Sequence, residues 1–259
     1  LRIKGAFFRL SFFAFVCGLL SLNAFAQSDG SQQNVLGRAG TFAITNARVV
    51  TVSGAVIENG TVVIQNGKIA AVGANAAVPA GAERIDGRGL SVYPGMIDAA
   101  TNMGLAEIPL GAAATMDVAE TGDNNANAKA LVGINPHTSH INVTRVNGIT
   151  TVLSMPTGGT IAGQAAVINL WGSTQNDMAV LPTYGLVVNF PRVSTFGGFG
   201  QQQVDFNTAV QQRDRRLEDL RKAFREAENY GKVQDAYAQD KSLPAPRNDP
   251  RSAAMIPSV

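Results

Sequence analysis

Between Thr41 and Tyr93 the chain is a series of short apolar runs: Phe42 to Thr45, Ala47 to Val52, Thr61 to Ile64, Lys68 to Val72 and Arg84 to Asp86, each closed by turn residues. Gln65-Asn66-Gly67 separates two of them, and Asn-Gly suits the left-handed turn that a twisted two-stranded ribbon needs. This spacing predicts a small all-β module.

Beyond it the pattern changes. Leu90 to Asp98 reads as a strand, and residues 104 to 133 are rich in Gly, Ala and Asn with scattered acids, which predicts a long loop. Asn135-Pro136 is a good helix start, an N-cap followed by a proline whose missing N–H does no harm there, and Asn147-Gly148 is a good stop. About three turns of helix fit between them. Ile149 to Leu153 then reads as a buried parallel strand running into Pro156-Thr157-Gly158-Gly159, which gives the order β-loop-α-β. Thr208 to Tyr230 predicts an amphipathic helix with Leu217, Leu220, Phe224 and Ala227 on one face. Pro244, Pro246 and Pro250 mark a loop after it.

The first 26 residues have the plan of a secretory signal: Arg2, Lys4 and Arg9, an apolar run from Phe12 to Leu22, and Ala24-Phe25-Ala26 before Gln27. The mature protein is expected to be periplasmic or secreted, with a flexible terminus over 27–40 and no later run of ~20 apolar residues to span a membrane. Cys17 is the only cysteine and falls inside that leader, so neither thiol chemistry nor a disulfide is expected afterwards. Three of the 21 Lys and Arg leave with the leader, so 18 remain against 19 acidic residues. That balance excludes a basic nucleic-acid footprint. The chain begins at Leu1 and stops at Met255-Ile256-Pro257-Ser258-Val259, which points to a fragment or a truncated reading frame.

One ordered series carries a resemblance. Thr45 to Val50, Ile57 to Ile64, Asn66 to Gly73 and Ile85-Asp86-Gly87-Arg88-Gly89 are followed by Pro94-Gly95-Met96-Ile97-Asp98-Ala99-Ala100-Thr101-Asn102. In that order the chain resembles the amidohydrolase superfamily. Ile161 to Gly172 is similar to a segment of its secreted, imidazolonepropionase-like members. The resemblance implies an α/β protein, with an N-terminal β-sandwich (composite) module over 41–92 and the first part of a (β/α)8, TIM-like barrel over 93–259. A whole barrel takes about 250 residues, so only two or three of its strands fit and the barrel would be incomplete.

The resemblance also implies metal-dependent hydrolysis of carbon–nitrogen bonds other than peptide bonds, in a small cyclic or amide substrate. In the superfamily the Pro-Gly-apolar-Ile-Asp strand ends in His-x-His, whose side chains, two apart on a strand, face one way and grip a zinc-like divalent ion. Here those positions are Ala100 and Asn102. A methyl group cannot ligate, and an amide oxygen replaces imidazole poorly. The family's remaining ligands lie on later strands, beyond Val259. This chain alone is therefore expected to bind no metal and to be inactive.

Other residues compete for a role. His137 and His140, the only histidines, stand three apart on the expected helix and could share a face, although surface imidazoles account for them as well. Glu107, Asp117, Glu120 and Asp123 fit a solvated loop, or a carboxylate lent to an altered site. Asn102 and Gln164 are the candidate substrate-binding amides. Gly158-Gly159 and Gly197-Gly198 match no phosphate-binding pattern. Arg213 to Arg225 is interleaved with acids and reads as a solvated helix face, with Glu218 and Lys222 paired four apart. Two functions stay open: a hydrolase that keeps one metal at later ligands, or a catalytically silent protein that binds a ligand or partner.

Overall fold

The computed structural model describes residues 40–108, 113–196 and 203–256. The expected leader, residues 27–39 of the expected flexible terminus and the Gly197-Gly198 pair lie outside the described residues.

The first sheet holds β1 (Thr41–Val49), β2 (Ile57–Gln65), β3 (Lys68–Gly73), β4 (Glu83–Asp86) and β5 (Ser91–Val92), in the order β3-β2-β1-β4 with β5 also beside β1. β2 and β3 form the expected antiparallel hairpin, with Asn66 (φ 52°) and Gly67 (φ 72°) both left-handed at the turn. The two runs expected at 42–45 and 47–52 are one strand. Asn46 takes φ 60°, the pairing with β2 shifts between Ile44 and Ala47, and the strand continues past this bulge. Asn46 Nδ2 donates to Asp86 Oδ1 at 3.1 Å, tying the bulge to β4. Ala47, Val49 and Val62 form the buried centre of this sheet.

The second sheet runs β6 (Met96–Thr101), β7 (Ile149–Ser154), β8 (Ile161–Asn169) and β9 (Ala179–Val188), in sequence order. β6 and β7 are parallel, and the crossover between them carries α1 (Ala130–Gly133) and α2 (Ser139–Val146). The expected β-loop-α-β unit is therefore present. Its helix begins at Thr138 rather than Asn135 and makes about two turns. The Thr138 hydroxyl accepts from His140 N–H, while Asn135 Oδ1 is taken by His137 N–H in a turn before the helix.

After β7 the alternation stops. β8 pairs antiparallel with β7, and β9 antiparallel with β8. The link from Met155 to Thr160 is too short for a helical crossover, and Gly158 (φ 84°) and Gly159 (φ 62°) reverse the chain within it. Leu105, Ile134, Ile141, Val152, Ile168, Leu170 and Met178 make the main core, with Met178 contributed by α3 (Gln175–Met178).

The long helix α4 (Phe206–Gln239) exceeds the expected 208–230 at both ends; Asp205 caps it, its carboxylate accepting from Thr208 N–H. Ala227 of α4 and Met255 of α5 (Pro250–Met255) are buried with Ala126 and Ile161, and Leu220 and Phe224 pack against them. The Glu218–Lys222 pair does not form. Glu218 takes Arg225 at 2.7 Å and Arg221 at 3.7 Å, and Lys222 turns to Glu226 at 3.8 Å. Two guanidiniums, each with several donors, outcompete a single ammonium for that carboxylate.

Candidate functional site

The candidate site is the C-terminal end of the parallel pair β6 and β7, where β/α folds gather their functional loops. The strand end is shaped by side chains bonded to backbone. Asp98 Oδ1 accepts from Ala100 N–H at 3.1 Å, Thr101 Oγ1 accepts from Met103 N–H at 3.2 Å, and Thr101 O accepts from Met155 N–H at 2.8 Å. Ala100 and Asn102 are both exposed. The Asn102 side-chain amide makes no hydrogen bond among the described residues, so of the two candidate amides it is the one open to a ligand.

The residues that follow cross this end and are tied down at several points. Ser154 Oγ, fully buried, donates to Met103 O at 2.8 Å. Thr157 N–H donates to Val118 O at 2.6 Å, and Gln164 N–H to Ala128 O at 2.8 Å. Gln164 is 6 % exposed; its Nε2 donates to Ala126 O at 3.0 Å and its Oε1 accepts from Thr183 Oγ1 at 3.3 Å. Both ends of that amide hold the loop and β9 against β8. Gly163 (φ 135°) makes this approach possible, since a Cβ there would lie 2.8 Å from Ala128 O.

Under the loop lies a cavity of about 280 Å³, lined by Leu105, Asp117, Glu120, Asn127 and Lys129 among others. Two of the four loop acids, Asp117 and Glu120, reach it. Asp123 lines a different cavity. Glu107 is engaged elsewhere: its Oε1 accepts from Asn135 Nδ2 at 3.0 Å, and its backbone oxygen lies 2.9 Å from His140 Nε2. His137 precedes α2, so the two histidines do not share a helix face. Lys129 and Asn127 join the acids only through folding; nothing in their local sequence marks them.

Among the described residues no group of three or more His, Cys, Asp or Glu comes together. At the strand end the donors are a methyl, an amide and a carboxylate already turned onto its own backbone. That set does not fit a zinc-like ion. Carboxyls held below the usual range lie elsewhere, and side-chain hydrogen bonds are the main cause: Asn46 on Asp86, Arg225 on Glu218, Lys232 on Glu228, Ser242 on Asp240 and Ser252 on Asp249.

No family model matches the chain, and no curated protein matches it significantly. Among solved structures it is similar to an amidohydrolase from Thermotoga maritima, with a TM-score of 0.69 and 23% identity over 82% of this chain and 54% of that one. An uncharacterized protein aligns over 44% of this chain and 25% of its own with a TM-score of 0.31 and 24% identity, too low for any argument. The chain thus shares the fold of the Thermotoga maritima protein over 82% of its own length, and spans about half the length of that protein.

Proposed function

We propose that this chain is the N-terminal portion of a longer, exported amidohydrolase that cleaves carbon–nitrogen bonds in a small cyclic or amide substrate, and that this portion supplies scaffold and binding surface rather than metal ligands. The observation that carries the reading is the shared fold over 82% of this chain and only 54% of the Thermotoga maritima amidohydrolase. The exposed outer strand β6, with Met96 55% and Ile97 69% accessible, supports it as a strand with β7 as its one neighbour among the described residues. Within the portion, Asp98 and Thr101 hold the strand end in shape, and Asn102 offers an amide to a ligand.

The test compares the protein from the full reading frame with this chain alone, against a panel of cyclic amides and N-acyl compounds, with and without added zinc or manganese. The longer protein is expected to hydrolyse a member of the panel. This chain is expected to be inactive and to carry no stoichiometric zinc or manganese by elemental analysis. Tight one-to-one metal in the chain alone would overturn the assignment. A second reading, a catalytically silent ligand-binding protein, is favoured by Ala100 and Asn102 at the strand end; inactivity of the longer protein with every metal would select it.

A further inference from the structure

A second cavity, of about 390 Å³, opens between the turn after β7, the segment after β9, and α4. Its floor is fixed by backbone. Asn189 donates its N–H to Thr160 O and its Nδ2 to Gly159 O, both at 2.9 Å, and Ile161 N–H reaches Asp123 O at 2.8 Å. Gly159 packs so closely on the segment at Gly122 that a Cβ would lie 2.6 Å from Gly122 O. Hydrogen bonds to main-chain oxygens thus tie the floor together, and Arg192, Ser194 and Arg216 line the cavity above it.

The lining is cationic. Arg192, from the segment after β9, and Arg216, from α4, line the cavity, and among the described residues neither makes an ion pair or a side-chain hydrogen bond. By contrast Arg213, Arg221 and Arg225 of the same helix each pair with a carboxylate. Thr160 and Ser194 add hydroxyls that are also without a side-chain partner, and Asp123 is the one carboxylate in the lining. The lining therefore has a net charge of about +1 at neutral pH. A guanidinium has only donors to offer, in a planar fork that matches carboxylate and phosphate oxygens. The volume falls within the range of about 300–1,000 Å³ usual for small-molecule sites.

The geometry points to a binding site for the oxyanion of a small molecule, a phosphate or carboxylate group, held between Arg192 and Arg216 with Thr160 and Ser194 as further donors. Asp123 limits the site to ligands whose negative charge is concentrated at the guanidiniums. The cavity lies after the C-terminal end of β7, the side of the sheet that also carries the strand end of β6, but it needs no metal and no hydrolysis to act.

Isothermal titration of the full chain with inorganic phosphate and, separately, with succinate tests the site, with chloride at matched ionic strength as the control. Saturable one-to-one binding of at least one probe is expected. Arg192→Gln and Arg216→Gln should each weaken it by roughly tenfold or more, the cost of one charge-assisted hydrogen-bonding arm. Asp123→Asn should tighten it. Arg215→Gln, at an arginine also unpaired among the described residues but not in the lining, should leave it unchanged. Phosphate alone assigns the site to phosphate esters, succinate alone to carboxylates, and both to oxyanions of either kind. No saturable binding of either probe, or binding insensitive to both arginine substitutions in chains whose circular dichroism is unchanged, overturns the proposal. Should Arg216→Gln unfold the chain, Arg192→Gln, which lies outside the helix, gives the readout by itself. Failure here leaves the hydrolase reading untouched, because that reading is decided by turnover.

Discussion

β8 and β6 belong to one sheet and are both largely apolar in sequence, yet they live in opposite surroundings. β8 has six successive buried residues, from Ile161 to Ala166, between β7 and β9. Among the described residues β6 has only β7 beside it, and no residue of β6 is buried. Burial is thus conferred by neighbours, not by the apolar run itself. An apolar strand left at an edge is a template for another strand.

The largest expected effect tests that contrast directly. Ile168, fully buried, should cost about 2–5 kcal/mol on truncation to Ala, whereas Ile97→Ala should stay within about 0.5 kcal/mol. Urea unfolding midpoints of the two variants would show it, and equal costs would dissolve the comparison. Next is the seam between β6 and β7. A Cβ on Gly95 would lie 2.1 Å from Thr150 Oγ1 and 2.4 Å from its Cγ2. Gly95→Ala should therefore destabilise by about 1–3 kcal/mol through overpacking, and Thr150→Ala should recover part of the loss in thermal unfolding.

The crossover helix offers a smaller effect. Thr138→Ala removes the hydroxyl that caps α2 and should cost about 1 kcal/mol, measured by the same denaturation. The smallest is electrostatic and far from both strands. The Asp249 carboxyl, at the start of α5, is held below its usual range chiefly by the Ser252 hydroxyl, with the Ser252 and Arg251 N–H groups assisting. Its folded pKa lies below the unfolded one, so its contribution is fully present above the unfolded value, near about 3.9. It is lost as pH falls through the lower folded value. Asp249→Asn should flatten that part of the acid limb of a stability-against-pH curve; an unchanged limb would remove this cap from the account.

Local features of the fold were legible where one short stretch decides its own conformation. Asn66-Gly67 dictates its turn because both residues tolerate left-handed backbone, and the chain turns there. The strand at Ile149 and the apolar stripe of α4 follow from periodicity alone. The bulge at Asn46 was hidden, because a polar residue between two apolar runs reads as a break until Asp86 is brought to it. The start of α2 was misplaced for a related reason: Asn135 and Thr138 are both good caps, and Asn135 is taken by His137 N–H. Ala100 was readable as a position along a strand, and Asn102 falls one residue past the end of β6. That Asn102 keeps an amide without a partner among the described residues, while Gln164 is buried and bonded at both ends, was not readable.

By itself the sequence determined the turns, the alternation of the strands and the amphipathic helix, since each depends on residues close along the chain. Tertiary structure alone decided that β8 reverses direction after β7, that β6 is left uncovered by the described residues, and that Arg192 and Arg216, 24 positions apart, border one cavity. Those outcomes depend on which distant segments pack together, and packing is settled by the burial of the whole chain at once, not by any one stretch of it.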